Sequence, residues 1–408
     1  MFEIEEKPVV WPLAVDSWGK EELATAITTL LSERLTMGER VHEFEREFAA
    51  MHGKAFGVMT NSGSSANLLA VGALQFAGKL PRGSTVLVPA IAWSTTYAPL
   101  QQYGLKLHVI DVEPGTLNMD MDKVQHFIGR HIRGDTKFEA LGLVGVSILG
   151  NPAKLREMRE LADGYKMAFL EDNCESLGAW IGGDTLNPRF TSTGTFGDIS
   201  TFSTFFSHHI NTIEGGMLLT DDPELHELAV CLRAHGWTRD LPPNPLSIKN
   251  RSEENGFPSQ YHFFLPGYNV RPTELAAAVG LVQLQKLGKM NEQRRRNASD
   301  FTRAFMRDDR FELQKLERGA VPFGFTMICQ SPEARELFVR RLTAAGIETR
   351  LITGGAFHLH DQVCFYDYSR DELPNAERAH KCGFFLGNHP FPLTEQIAAA
   401  KAALGEPT

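Results

Sequence analysis

Short apolar runs that alternate with helical stretches constrain the fold of this chain more tightly than any other feature of it. The runs are AFGVMT, VLVPA, LHVID, LGLVGVSI, AFLED, ISTFSTF and GMLLT, all between Ala55 and Thr220, with helical spacing over 64–76 and 153–164. A strand that is apolar along its whole length has both faces covered, and helices in the connections cover them. The alternation predicts an α/β fold with a mostly parallel central sheet flanked by helices.

Upstream of the runs, an extended arm (1–16) leads into helical spacing over 17–52. Leu23, Ile27, Leu30 and Leu31 fall on one face and Phe44, Phe48 and Ala49 on another, with a break at Thr36-Met37-Gly38 that makes two helices. Downstream, 238–264 is polar and rich in Pro and Gly and reads as a long surface excursion. A long helical pattern over 273–305 then leaves the sheet, and FGFTMIC and IETRLIT supply strands of a smaller C-terminal α+β domain. The predicted organisation is an arm at 1–16, a large domain at 17–285 and a small one at 286–408. With 408 residues, 42% of them hydrophobic, the chain is long enough to bury two cores.

Lys and Arg total 41 against 50 Asp and Glu, a net charge of -9 that gives no basic footprint for nucleic acid. No apolar run approaches the roughly 20 residues that span a bilayer, and the first residues are acidic where a secretion signal is basic. The expectation is a cytoplasmic protein without a membrane partner. Five cysteines, Cys174, Cys231, Cys329, Cys364 and Cys382, stand too far apart for a CxxC pair or a zinc ribbon, so they read as reduced thiols and no metal site is expected.

NSGSSAN (61–67) sits between a strand and a helix, where small residues let backbone N–H groups close around a phosphate at a helix N-terminus. Capping and close packing would use the same residues. No Gly-Lys-Ser/Thr follows, and the GxGxxG spacing is absent. AFLED ends a strand on Glu171 and Asp172, and open α/β sheets place ligands at the carboxyl ends of their strands. A carboxylate there could hold a proton on a ring nitrogen; a solvated acid pair after a strand is the plainer alternative.

Together with TMGERVHEFEREFA, VLVPAIAWSTT, FLEDNCESLGA, STFSTFFSHHINTIEGGML and GYNVRPTELAAAVGLVQL, these segments resemble the DegT/DnrJ/EryC1/StrS family of PLP-dependent sugar aminotransferases over nearly the whole chain. The resemblance implies the fold type I PLP-dependent transferase architecture and a homodimer with shared sites. It also implies that Gly63, Ser64, Ser65 and Ser203 hold the cofactor phosphate, that Asn269 reaches it from the other subunit, that Trp93 stacks on the pyridine and that Asp172 pairs with the ring nitrogen. These roles suit the residue types: an indole face covers a flat ring, and a carboxylate keeps it protonated.

The aminotransferases of this family carry a cofactor-binding lysine about eight positions before the second glycine of EGG. Counting back from Gly216 gives His208, and no lysine occurs between Lys166 and Lys249. Imidazole forms no stable imine, but it moves protons near neutral pH. The chemistry then starts from PMP. HHI followed by EGG is similar to the 3-dehydratase branch of the family, most of all the members that act on GDP-linked 4-keto-6-deoxymannose in colitose biosynthesis. Glu175, where aminotransferases commonly have Gln, fits that branch as the partner of the ring hydroxyl. The resemblance implies that His208 takes a proton and gives one to the hydroxyl leaving the sugar's third carbon, with L-glutamate restoring PMP. His209 has a structural role or contacts phosphate.

A nucleotide diphosphate or a glutamate carboxylate calls for arginine. Arg350, in IETRLITGG, and Arg239, in HGWTRD, are the candidates, whereas Arg294-Arg295-Arg296 reads as a solvated helix face and Asn388-His389 as a turn. Leu351 and Gly355-Ala356 depart from the dehydratase pattern at positions that bear on sugar or base specificity. Three other readings share parts of the sequence: an iron–sulfur-dependent 3-dehydratase, which needs four grouped cysteines; an ordinary aminotransferase, which needs the lysine; and a non-catalytic sugar-nucleotide-binding homologue.

Overall fold

All seven apolar runs become strands of one sheet in the computed structural model, which describes residues 10–32, 34–132, 141–182, 190–242, 245–247 and 261–406. In chain order the strands are β1 (Phe56–Thr60), β2 (Thr85–Pro89), β3 (Lys106–Ile110), β4 (Leu141–Val146), β5 (Ala168–Asp172), β6 (Trp180–Ile181), β7 (Thr191–Ser192), β8 (Ile199–Ser203), β9 (Gly216–Thr220), β10 (Phe311–Leu313), β11 (Gly324–Cys329), β12 (Tyr368–Arg370) and β13 (Gly383–Gly387). The large sheet runs β1-β9-β8-β5-β4-β2-β3-β12, and every pairing is parallel except the two made by β9. β6 and β7 form a separate antiparallel pair.

Strand periodicity sorts the core. Val86 and Val88 of β2 join one apolar cluster while Leu87 between them joins another on the opposite face. Helices α3 (Gly63–Phe76), α4 (Ser94–Gln102) and α7 (Pro223–Arg233) cover the first face, and α5 (Met121–Ile132) and α6 (Leu155–Tyr165) cover the second. The sequence expectation of a mostly parallel, doubly covered sheet is met.

α1 (Lys20–Leu31) and α2 (Glu39–Met51) meet at the expected break, where Met37 takes φ 50° and Gly38 caps α2. Phe44, Phe48 and Ala49 pack inward, but Leu23, Ile27, Leu30 and Leu31 are all more than half exposed. α8 (Glu274–Phe305) spans about 48 Å at the helical rise. Its first turns pack beside α2 through Ala276 and Ala277, and its last turns enter a second core through Phe301 and Phe305. That second core lies under the antiparallel sheet β10-β11-β13 and is closed by α9 (Pro332–Ala344) and α11 (Thr394–Leu404); α10 (Pro374–Cys382) leads into β13. Trp11 of the arm is fully buried there, its indole N–H donating to Gly387 O at 2.9 Å.

IETRLIT does not form the expected strand. It makes two isolated bridges, Ile347 to Trp11 and Arg350 to Phe385, after which Thr353, Gly354 and Gly355 all take positive φ and turn the backbone out of the sheet. Part of the 238–264 excursion, residues 243–244 and 248–260, lies outside the described residues, as do residues 1–9 of the arm. Among the described residues no helix is long and apolar enough to cross a membrane.

Candidate active site

β1, β2, β5 and β8 run parallel and end at one cavity of about 270 Å³, closed on its far side by the Arg350–Gly354 turn. The parallel sheet thus delivers its strand ends to a single place. Alternation along β5 separates the two acids. Glu171 is buried on one face, accepting from the backbone N–H groups of Gly194, Phe196 and Gly197 at 2.5, 2.9 and 3.1 Å. Asp172 faces the cavity. Its Oδ2 accepts from Asn67 Nδ2 at 2.9 Å and Thr96 Oγ1 at 2.8 Å, and its Oδ1 from Cys174 N at 3.1 Å. Thr201 donates to Asn67 Oδ1 at 2.6 Å, so the carboxylate is fixed by side chains that are themselves fixed.

At the N-terminus of α3, Ser62 caps the helix by accepting from Ser65 N. Gly63 and Ser64 line the cavity with Ser203, whereas Ser65 Oγ is turned to Asn61 Oδ1 at 2.6 Å and Ser64 Oγ to Thr95 Oγ1 at 2.9 Å. A Cβ on Gly63 would stand 2.6 Å from Ser203 Cβ, and one on Gly216 would stand 2.3 Å from Ser62 O. Glycine is required at both because the backbone of this cradle is approached so closely. Trp93, N-terminal to α4, lines the cavity with 53% of its surface exposed. A cradle of N–H groups at a helix start, an open indole face and an oriented buried carboxylate fit a phosphorylated pyridine.

Glu175 sits beside Asp172. Its Oε2 accepts from Leu149 N at 2.8 Å and from Thr353 Oγ1 at 3.2 Å. Leu149 (φ 50°) and Thr353 (φ 40°) are both left-handed, a strain that non-glycine residues hold only where the surroundings impose it. Burial, with the Asp172 charge nearby, pushes the Glu175 carboxyl up to about 7. The folded chain therefore keeps a proton that the unfolded chain releases near 4.5, and stability falls as pH rises from about 4.5 to about 7. Glu175→Gln removes this ionisation. The variant is expected to gain about 1–3 kcal/mol on the wild-type protein above pH 7 and nothing below pH 4.5. A difference in melting temperature that stays flat from acid to alkaline pH would show that Glu175 is not protonated in the fold.

His208 lies between β8 and β9 with its ring on the cavity. Phe205 and Phe323 meet it edge-on at centroid distances of 5.8 and 5.1 Å, and its Nδ1 is 3.4 Å from Ser207 Oγ. Burial, then the Arg294 charge, lower its pKa to about 3, so the imidazole is a neutral base. His209 points away and is buried, its Nε2 3.0 Å from Val321 O, which is the structural alternative for this residue. The arginine run is not a solvated face: only Arg296 is at the surface, paired with Glu292, while Arg294 is buried and Arg295 donates to Ala320 O and Gly178 O. Asn388-His389 is likewise buried, with Asn388 Nδ2 donating to Arg294 O and Pro322 O.

Arg350 and Leu351 line the cavity. Arg239 does not; it is exposed, paired with Asp240 at 3.1 Å and 4.0 Å from the Trp237 ring centroid. Asn269 is also exposed, its Oδ1 accepting from Arg271 Nε. Sequence reasoning missed Asn67, Thr96, Phe323 and Thr353. All four stand inside quoted segments, NSGSSAN, AWSTT, FGFTMIC and IETRLITGG, but nothing in a linear string pairs Asn67 and Thr96 with Asp172, Phe323 with His208 or Thr353 with Glu175.

The sequence profile of the family described as DegT/DnrJ/EryC1/StrS aminotransferases matches residues 16–404. The chain is 41% identical over 393 residues to the GDP-4-keto-6-deoxy-D-mannose 3-dehydratase of Yersinia pseudotuberculosis, covering 95% of this chain and 96% of that one. Its fold is similar to that of the Escherichia coli GDP-4-keto-6-deoxy-D-mannose-3-dehydratase solved with hydrated PLP, at 37% identity and a TM-score of 0.88 over 98% of this chain and 100% of that one. A GDP-4-keto-6-deoxymannose-3-dehydratase solved with a trapped PLP-glutamate geminal diamine matches at the same identity and TM-score, over 97% of this chain and 100% of that one.

Proposed function

From the premise that this chain belongs to the DegT/DnrJ/EryC1/StrS aminotransferase family, we propose that it is a PMP-dependent 3-dehydratase of deoxysugar biosynthesis, acting on GDP-linked 4-keto-6-deoxymannose with L-glutamate as co-substrate. One observation carries this reading: among the described residues the cavity lining contains no lysine, and it presents the neutral imidazole of His208.

When bound, the cofactor supplies a primary amine for the sugar's ketone and a ring that takes up electron density from the reacting carbons. The chain supplies the rest. Gly63, Ser64 and Ser203 hold the phosphate, with Ser65 fixing the turn through Asn61 and Ser62 rather than lining the cavity; Trp93 covers the ring, Asp172 holds the proton on the ring nitrogen and Glu175 meets the ring hydroxyl. Arg350 holds a carboxylate or phosphate of the substrates. His208 accepts a proton at its free ring nitrogen and passes one to the departing sugar hydroxyl, which leaves as water.

Asn269 and Arg239 face outward, so they serve a site only across an interface. The exposed stripe Leu23, Ile27, Leu30 and Leu31 supports a homodimer. The cysteines are unpaired, with Cys231, Cys329 and Cys382 buried, which supports a reducing, cytoplasmic setting.

Replacing a C–OH by C–H is a two-electron reduction, and glutamate supplies the two electrons on becoming 2-oxoglutarate and ammonia. Incubation of the protein with PLP, glutamate and GDP-4-keto-6-deoxymannose should therefore give 2-oxoglutarate, ammonia and the 3-deoxy ketosugar in equal amounts. The same preparation should sediment as a dimer of 45.4 kDa chains. A stable aminosugar, or a monomer with full activity, would overturn the corresponding part of the reading. No turnover with any nucleotide-linked 4-keto sugar would favour a binding protein.

A further inference from the structure

Arg294 is a buried cation whose purpose the fold alone does not supply. Among the described residues no carboxylate stands within ion-pair distance of it. A guanidinium buried without a counter-charge is costly, and an apolar side chain of similar volume would fill the space at less cost. Its two Nη groups donate to backbone carbonyls, Nη2 to His208 O at 3.1 Å and Nη1 to Asn388 O, while its buried Nε meets no acceptor. Asn388 is held in turn by Asn297, which donates to its Oδ1 at 3.1 Å and to His389 O at 3.0 Å. The adjoining His209 ring contacts Val321 O, and Phe323 closes on the His208 ring. One side chain of α8 thus joins the loop of the large sheet that carries His208 to the segment after β13.

We propose that Arg294 is a positioning residue for proton transfer: its guanidinium clamps the His208 backbone to the segment after β13 and sets a fixed positive charge beside the imidazole. The inference rests on the reading of His208 as the proton carrier. Once His208 has accepted a proton, it is an imidazolium beside a guanidinium that has no carboxylate of its own. Repulsion then favours release of that proton to the departing hydroxyl, a poor leaving group until protonated. The other charged and titratable groups around this pair are His209 and His389, both held toward neutrality by burial first and by the Arg294 charge second, and Arg295 next to Arg294 in α8. Across the cavity stand Asp172, Glu175, Glu214 and Arg350.

The test uses the full chain as Arg294→Gln and Arg294→Lys. Gln keeps an N–H for one carbonyl and removes the charge; Lys keeps the charge and loses the fork. The direct readout is the ring titration of His208 by NMR in histidine-labelled protein, its signal assigned by loss in His208→Asn. In R294Q the titration midpoint is expected to rise by about one unit or more, and the acid limb of the kcat profile to rise with it. Turnover falls about tenfold or more while KM for the GDP-sugar stays within about twofold. R294K restores the midpoint and only part of kcat. An unchanged midpoint in R294Q overturns the proposal, as does loss of kcat in both variants in proportion to loss of folded protein. If R294Q does not fold, R294K decides: wild-type kcat in that variant shows that the fork positions nothing. Because the titration needs no turnover, it stands even if the wild-type protein fails to dehydrate the sugar, a result that would sink the functional reading alone.

Discussion

Replacing His208 with asparagine is expected to lower formation of the 3-deoxy sugar by about 10²–10⁴-fold, the range that general acid–base catalysis supplies. Asparagine keeps a similar volume and a hydrogen-bonding tip against Phe205 and Phe323, so the cavity walls need not move. It neither gains nor loses a proton. PLP should therefore still bind, with its absorbance retained, while the proton-dependent steps with sugar and with glutamate both slow. His208→Lys sets the opposite condition, since a primary amine at the same place should capture PLP covalently and shift its absorbance into the visible. Retained dehydration in H208N, or no spectral change in H208K, would place the histidine outside the chemistry.

The sheet was legible because its signal is local. Seven apolar runs of strand length, separated by helical spacing, leave few arrangements other than a covered parallel sheet, and each run became a strand. IETRLIT carries the same apolar signal and failed because Thr353, Gly354 and Gly355 adopt backbone angles that no pattern of hydrophobicity encodes. The cofactor end was legible for a similar reason: Gly63 and Ser64, and likewise Asp172 and Glu175, are neighbours in sequence and come to the cavity from one strand end each. Arg294 was misread because three consecutive arginines on a helix point about 100° apart, so one can be buried while another is solvated. Which one turns inward depends on the partner elements, and its contacts lie 86 and 94 residues away. The exposed leucines of α1 show the same limit, because amphipathic spacing marks a face to be covered and does not say by which chain.

Asp172→Asn is expected to cost about 10²–10³-fold in turnover and to weaken cofactor binding, as loss of a preorganised electrostatic group in a dry site does. The carboxylate receives three donors, Asn67 Nδ2, Thr96 Oγ1 and Cys174 N, and offers its remaining acceptor capacity to the cavity. An asparagine can present one oxygen only. Turned toward Asn67 and Thr96, its amide confronts the Cys174 N–H with a donor; turned the other way, it faces the Asn67 amide donor to donor. Either orientation removes the charge that would hold a proton on a ring nitrogen, so the ring loses its capacity to take up electron density even where it still binds. Thermal melting with and without PLP separates the two effects. Ligand that binds the folded chain alone raises its stability by mass action, so the PLP-dependent rise in melting temperature should shrink in D172N, whatever the change in the apoprotein. An undiminished rise together with undiminished turnover would mean that Asp172 is a structural acid and that the ring nitrogen lies elsewhere in the cavity.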